Sequence, residues 1–229
     1  MNKVKKRDYS NPPQILEKKE CYVKREQAIE EKQKHDFSGY YYRHKTVMKS
    51  LFSLYHHKCA YCETKPLPGS TLRVDHYRPK INIKGETSHP GYYWLGYEWS
   101  NFLPTCDSCN NAKSNAFPIE PAGKRVAPSK PYEYTLDAAC FLAEKPLILH
   151  PELDDPKKHL IFLPNGKVKG ITNRGEKTIE VCKLNRNPLV LERRKSLDSF
   201  LREIRNLLRD LKDKKCNNLI FRYTMKLIF

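Results

Sequence analysis

Two Cys-x-x-Cys pairs, Cys59-Ala-Tyr-Cys62 and Cys106-Asp-Ser-Cys109, constrain this chain more than anything else in it. Each pair sets two thiolates on one tight turn. Two such turns brought together offer four soft ligands at the corners of a tetrahedron, the geometry that Zn²⁺ takes. A redox motif needs only one pair, so the doubled pattern favours a zinc site held by Cys59, Cys62, Cys106 and Cys109. With every position filled by sulfur, such a site has none open to substrate and is structural, so any chemistry must come from other side chains. The remaining four cysteines, Cys21, Cys140, Cys182 and Cys216, are scattered and read as ordinary thiols. The charged start from Met1 to Arg7 has no apolar stretch behind it, and no run of about 18 apolar residues could span a membrane, so a cytoplasmic protein is expected.

The 229 residues suffice for one sizeable domain, or for a small catalytic module with helical additions. Residues 1–57 read as an N-terminal helical segment. Within it, Ile15 to about His35 is charged, with a thin apolar stripe, and Tyr40 to His57 sets Val47, Met48, Leu51, Phe52, Leu54 and Tyr55 at helical spacing. Residues 58–118 carry both cysteine pairs together with Trp94 and Trp99, which are expected to fill a small core rather than stack on bases. Residues 119–229 hold a linker to Pro131, then a hairpin signal, Pro164-Asn-Gly166, between the β-prone runs His159-Leu-Ile-Phe-Leu163 and Lys167-Val-Lys-Gly-Ile171. Beyond it, Asn173 with Glu176 resembles a capping box, and Pro188 fits the start of a long last helix. Leu197, Phe200, Leu201, Ile204, Leu207, Leu208 and Leu211 recur there at steps of three and four.

Lys and Arg number 43 against 26 Asp and Glu, a formal charge of +17, which favours a polyanion such as nucleic acid through counterion release. A solvated lysine-rich surface has the same composition, so the decision falls to residues in and beside the gap from 63 to 105. Thr71-Leu-Arg-Val-Asp-His76 reads as a strand ending in a carboxylate and an imidazole, stopped by Pro79. Neighbours on a strand point to opposite faces, so a bend or bulge is expected if Asp75 and His76 are to address one group. Asn101 precedes the second knuckle and Asn110 follows it directly. Arg78, Lys80 and Lys113 are candidates to neutralise a phosphate and, equally, ordinary surface charges.

In this order the residues resemble the HNH endonuclease superfamily, most strongly over residues 59–115. The resemblance implies an α+β fold: a small ββα-metal core stapled by the four-cysteine zinc site, with flanking helices and a C-terminal hairpin and helical region. Carried over by position, Asp75 would ligate a catalytic ion and His76 would be the general base. Asn101 would hold the hairpin loop and orient His76, and Asn110, or its neighbour Asn111, would be the second ligand. Carboxylate, amide oxygen and water are hard ligands, so that ion would be Mg²⁺ or Mn²⁺. Val74-Asp-His-Tyr-Arg-Pro-Lys80, the stretch Tyr93 to Leu103 and the stretch Cys109 to Pro118 look like the PtuB-like branch, the nucleases of Septu antiphage systems and of some retrons. Leu149-His-Pro-Glu-Leu-Asp-Asp-Pro156, Asn173-Arg-Gly-Glu-Lys-Thr-Ile179 and Leu184-Asn-Arg186 extend the likeness to about residue 195.

That branch implies an endonuclease acting on DNA as an antiphage effector, with a PtuA-like ATPase as partner for the flanking helices. RNA, tRNA included, stays open as substrate, because the same centre can attack either backbone. A non-catalytic zinc-knuckle module that binds nucleic acid would need only the charge and the four cysteines.

Overall fold

Between Pro13 and Gly39 the chain is rich in Lys, Glu and Gln and holds neither Gly nor Pro, which suits a helix. The computed structural model describes residues 1–66, 69–128 and 134–212, the last three as backbone alone. Cys216 and the side chain of Leu211 lie outside the described residues. The single helix expected from Ile15 to His35 is broken into a 3₁₀ turn at Gln14–Glu17, helix α1 at Lys19–Glu31 and a second 3₁₀ turn at Lys32–Lys34. Extended backbone at Lys18 separates the first two, and a φ of 56° at Lys32 ends the α-helix. α1 is not a free arm: it buries Cys21 and Ala28, and Arg25 Nη2 donates to the Tyr97 carbonyl at 2.9 Å.

The next helical stretch is likewise split, into α2 (Gly39–Tyr42) and α3 (Lys45–Leu54). The break falls where His44 caps α3, its Nδ1 accepting from the Thr46 amide at 3.3 Å. α3 buries Val47 and Leu51 on the face that its spacing predicts.

β1 (Arg73–His76) pairs antiparallel with β2 (Phe102–Thr105), so that Asp75 lies opposite Leu103 and His76 opposite Phe102. α4 (Asp107–Lys113) follows β2 at once, with Cys106 as its N-cap residue. The connection between the two strands, residues 77–101, folds back as a core of its own, in which Tyr77, Tyr92, Tyr93, Leu95 and Tyr97 are buried together with Trp94 and Trp99. Both tryptophans therefore fill the core, as expected. A buried Arg7–Glu152 pair braces the C-terminal end of this connection, where Arg7 Nη1 donates to the Trp99 carbonyl at 3.2 Å. Arg7 Nη2 also donates to the Phe102 carbonyl at 2.7 Å, and Tyr55 donates to Glu152 at 2.6 Å.

After α5 (Ala139–Ala143), β3 (Leu160–Phe162) and β4 (Val168–Gly170) form the second two-stranded sheet. Gly166 takes the positive φ, 82°, that its Asn-Gly turn requires. α6 (Asn173–Val181) is capped one residue earlier than expected: the Thr172 hydroxyl, not Asn173, accepts from the Gly175 amide at 3.2 Å. α7 spans Asn187–Lys212, with Pro188 in its first turn.

The chain divides into two compact units. One comprises Met1–Ile161 and Val168–Asn185 and contains both cysteine pairs. The other comprises Phe162–Lys167 and the chain from Arg186 on; within it Arg193 lies over the Phe162 ring. No helix among the described residues is long and apolar enough to cross a membrane.

Candidate metal centre and adjoining cleft

The first knuckle turns between α3 and β1, where the Glu63 amide donates back to the Cys59 carbonyl at 2.9 Å and Glu63 takes a φ of 62°. It is pinned to β2 by the Ala60 amide, which donates to the Pro104 carbonyl at 2.7 Å. The second knuckle is the opening turn of α4. Together they place the sulfurs of Cys59, Cys62, Cys106 and Cys109 within 4.8 Å of one another.

Tetrahedral zinc with Zn–S of about 2.3 Å needs sulfurs roughly 3.8 Å apart, and Cys62 and Cys106 stand at 3.7 Å. Hydrogen bonding from Cys106 pulls the Cys62 thiol down, and Cys109 lowers Cys106 to about 6. Cys59 and Cys109 are pushed up, chiefly through their contacts with Cys106. Four thiolates at this spacing repel unless a cation sits among them. The cluster could thus hold a metal ion such as zinc.

All four residues of β1 border a cleft of about 610 Å³, together with Tyr42 and Arg43 at the end of α2, Lys80, and Asn110 and Asn111 of α4. The expected bulge is not there: the pairing runs in register from Arg73 to His76. Residues from both faces of the strand nonetheless line the cleft.

Asp75, 6% exposed, is held from two sides. Its Oδ2 accepts from the Tyr61 hydroxyl at 3.0 Å, and its Oδ1 accepts from Lys113 Nζ at 3.2 Å. Lys113, itself buried, also donates to the His76 carbonyl at 2.8 Å. Burial holds the Asp75 carboxyl above its usual range, against the pull of Lys113 and Tyr61.

His76 sets its ring edge-on to Tyr42 and Phe102. Its Nε2 stands 2.8 Å from the Gly96 carbonyl. A carbonyl only accepts, so this contact assigns the proton to Nε2 and leaves Nδ1 as the acceptor nitrogen. Burial pushes the imidazole well below its ordinary value, and Lys80 adds to the shift.

Asn101 is buried in the hairpin loop. Its Oδ1 accepts from the Arg78 amide at 2.8 Å, and its Nδ2 donates to the carbonyls of Arg78 and Leu95 at 3.0 and 3.2 Å. It therefore meets His76 only at second hand, by fixing the residue before Gly96. Asn110 lies half-buried, its Oδ1 3.5 Å from the Thr105 hydroxyl, whereas Asn111 is exposed.

Two of the three candidate phosphate-neutralising cations are otherwise engaged. Arg78 is buried against Glu144, Nε to Oε2 at 2.8 Å, and Lys113 lies beneath Asp75; only Lys80 borders the cleft. Burial lowers the Lys80 ammonium to about 8, and its Nζ donates to the Tyr42 hydroxyl at 3.2 Å. Sequence reasoning missed Tyr61 and Gly96. Tyr61 was visible as the aromatic between the two thiols of the first knuckle. Gly96 carried no signal, since what it needs is room: a Cβ there would lie 2.0 Å from the Phe37 ring.

The molecule is thus a mixed helical and small-sheet protein built round a cysteine cluster that could hold a metal ion, beside a polar cleft on the first hairpin. Among known proteins it is close to the Septu PtuB proteins. It is 38% identical to Septu protein PtuB of Bacillus mycoides (strain KBAB4) over 161 residues, 67% of this chain and 52% of that protein. Septu protein PtuA of the same strain is 32% identical over 179 residues, 76% of this chain and 23% of that protein. Septu protein PtuB of Bacillus thuringiensis is 27% identical over 140 residues, 61% of this chain and 41% of that protein. The chain thus spans about half or less of the length of these relatives. No family model matches it.

Proposed function

We propose that the chain is an HNH-type endonuclease that hydrolyses phosphodiester bonds, DNA before RNA, as the effector of a Septu-type antiphage defence system. The observation that carries this reading is the 2.8 Å contact of His76 Nε2 with the Gly96 carbonyl. With Nε2 committed to the Gly96 carbonyl, Nδ1 is the nitrogen able to take a proton from a water in the cleft that Asp75 and Asn110 also border. A depressed imidazole pKa keeps the ring neutral, as a general base requires. Zinc in the four-cysteine cluster is structural in this reading.

The carboxylate of Asp75 and the amide oxygen of Asn110 are a donor set suited to Mg²⁺ or Mn²⁺, with Tyr61 and Lys113 fixing the carboxylate. An ion there would supply charge stabilisation for the phosphate and the leaving 3′ oxygen. Lys80, the exposed Arg43 and the overall charge of +17 favour a polyanionic substrate. A partner is part of the proposal: α7 leaves Phe200, Leu201 and Leu208 between 38% and 54% exposed, a stripe on which a PtuA-like ATPase would dock. The likeness of 179 residues to 23% of a Septu protein PtuA supports this pairing, since a module of this kind stands within a longer Septu chain.

Purified protein and a His76→Ala variant, each with plasmid, single-stranded DNA and total RNA plus Mg²⁺ or Mn²⁺, test the reading. Wild type should cut at least one of them. The variant should lose cleavage by about 10²-fold or more while keeping metal and fold. A variant that cuts at the wild-type rate would exclude His76 as the base.

A further inference from the structure

Three stretches that stand out in the sequence contain residues for which the cleft has no use. They are Tyr77 and Arg78 directly after His76, the run from His150 to Asp154, and Arg174. All three reach a second pocket, of about 340 Å³, and no residue that lines it borders the first cleft.

Arg78 is 1% exposed, with Nε on Glu144 and Nη2 on the Phe141 carbonyl at 3.0 Å. Its Nη1 has no hydrogen-bond partner among the described residues, although the guanidinium lies over the rings of Tyr77, Tyr92, Phe117 and Phe141. His150, also 1% exposed, accepts from the Glu152 amide at Nδ1, 3.2 Å, which puts its proton on Nε2. That nitrogen too has no partner among the described residues. Burial lowers the ring to about 4, so it keeps this neutral form near pH 7.

A buried donor without an acceptor is costly, and native structures hold few of them. Here two belong to the wall of one pocket. Arg174 is already spent on Asp154, at 2.6 and 2.8 Å, and on the Pro146 carbonyl. Arg78 and Arg174 in the wall are paired with Glu144 and Asp154, Lys145 and Glu120 complete its charges, and Leu136, Phe141 and Leu153 supply apolar surface.

We propose that this pocket binds a small organic anion, whose carboxylate or phosphoryl oxygens accept from Arg78 Nη1 and His150 Nε2 and whose apolar body lies against Phe141, Leu136 and Leu153. Both nitrogens are closed to solvent as the side chains stand, so binding includes a turn of the guanidinium and the imidazole toward the pocket. The volume is that of a small-molecule site, about 300–1,000 Å³. No part of the proposal uses His76, so it stands or falls apart from the nuclease reading.

The test is a titration of the isotope-labelled full chain, followed by NMR, with inorganic phosphate in one arm and benzoate in the other. A saturable shift of the His150 Nε2–H and Arg78 side-chain resonances is expected in at least one arm, and the arm that responds tells phosphoryl from carboxylate chemistry. Leu142→Trp, at a rim residue that is 55% exposed, narrows the mouth without touching the buried network and should weaken binding about tenfold. His150→Phe keeps an aromatic ring against Tyr77 and removes the donor, with the same expected loss. Should that variant not fold, Leu142→Trp and the wild-type titration decide between them. A His150 proton that exchanges with water and ignores both anions, or an affinity unchanged in Leu142→Trp, overturns the proposal.

Discussion

The two hairpins of this protein are closed by opposite means. In the second, a turn of a few residues joins β3 to β4, and Asn165-Gly166 fixes its geometry locally, with Gly166 at a φ of 82°. In the first, β1 and β2 stand on either side of residues 77–101, and what holds them lies elsewhere in the chain: the cysteine cluster at one edge, Lys113 across the strand, and Asn101 in the loop. A hairpin closed by its own turn is cheap to form and carries no chemistry. One closed from a distance can gather side chains from α2, α3 and α4 into one cleft, and it depends on every remote tie that gathers them.

The widest gap between the two should open with Cys109→Ser. If the cluster is a structural zinc site, it contributes about 10–16 kcal/mol, against a net stability for the whole fold of about 5–15 kcal/mol. The variant should lose its metal and the packing of the unit that holds both cysteine pairs, as read by zinc content and amide exchange, with the smallest loss of protection at residues 162–167, which belong to the other unit. A metal-free variant with a native spectrum would break the contrast.

A smaller effect is expected from Gly96→Ala. The added methyl would meet Phe37 at 2.0 Å and displace the carbonyl that orients His76. We expect a stability loss of about 1–3 kcal/mol and a fall in cleavage of about 10²-fold, with metal content unchanged. Adding Phe37→Ala should restore part of the activity; a double variant no better than the single one would show that the clash is not the cause.

Least affected should be Gly166→Ala, which strains the local turn and meets the Val190 carbonyl at 2.3 Å. Thermal unfolding should reveal a cost of about 1–3 kcal/mol, and cleavage at permissive temperature should stay within about twofold, since the cleft takes nothing from this turn. A tenfold loss of cleavage would mean that the two hairpins are not independent.

The same contrast explains what could be read from the residues alone. The Asn-Gly turn, the buried face of α3 and the two knuckles are local patterns, and the structure contains each of them. The breaks at Lys18, Lys32 and His44 were not legible, because neither Lys nor His is a helix breaker. Lys32 adopts its positive φ, and His44 turns its ring back as a cap, only in this setting. Asp75 and His76 could be singled out together, yet their partners Tyr61, Lys113 and Gly96 lie 14, 38 and 20 residues away, beyond the reach of any period. Arg78 reads equally as a phosphate-neutralising cation or a surface charge, because nothing near it in the sequence announces Glu144, 66 residues on.

The Arg7–Glu152 pair also bears on the order in which the molecule is made. Its two members are 145 residues apart, and Arg7 holds the Phe102 carbonyl at the start of β2. A chain growing from its N-terminus can form α1 and α3 early, but Arg7 stays without its carboxylate until residue 152 has been synthesised and has cleared the ribosome. Until then there is no complete frame behind the cleft. If the cleft cuts nucleic acid, the frame behind it is then completed only after every residue that lines it has been made.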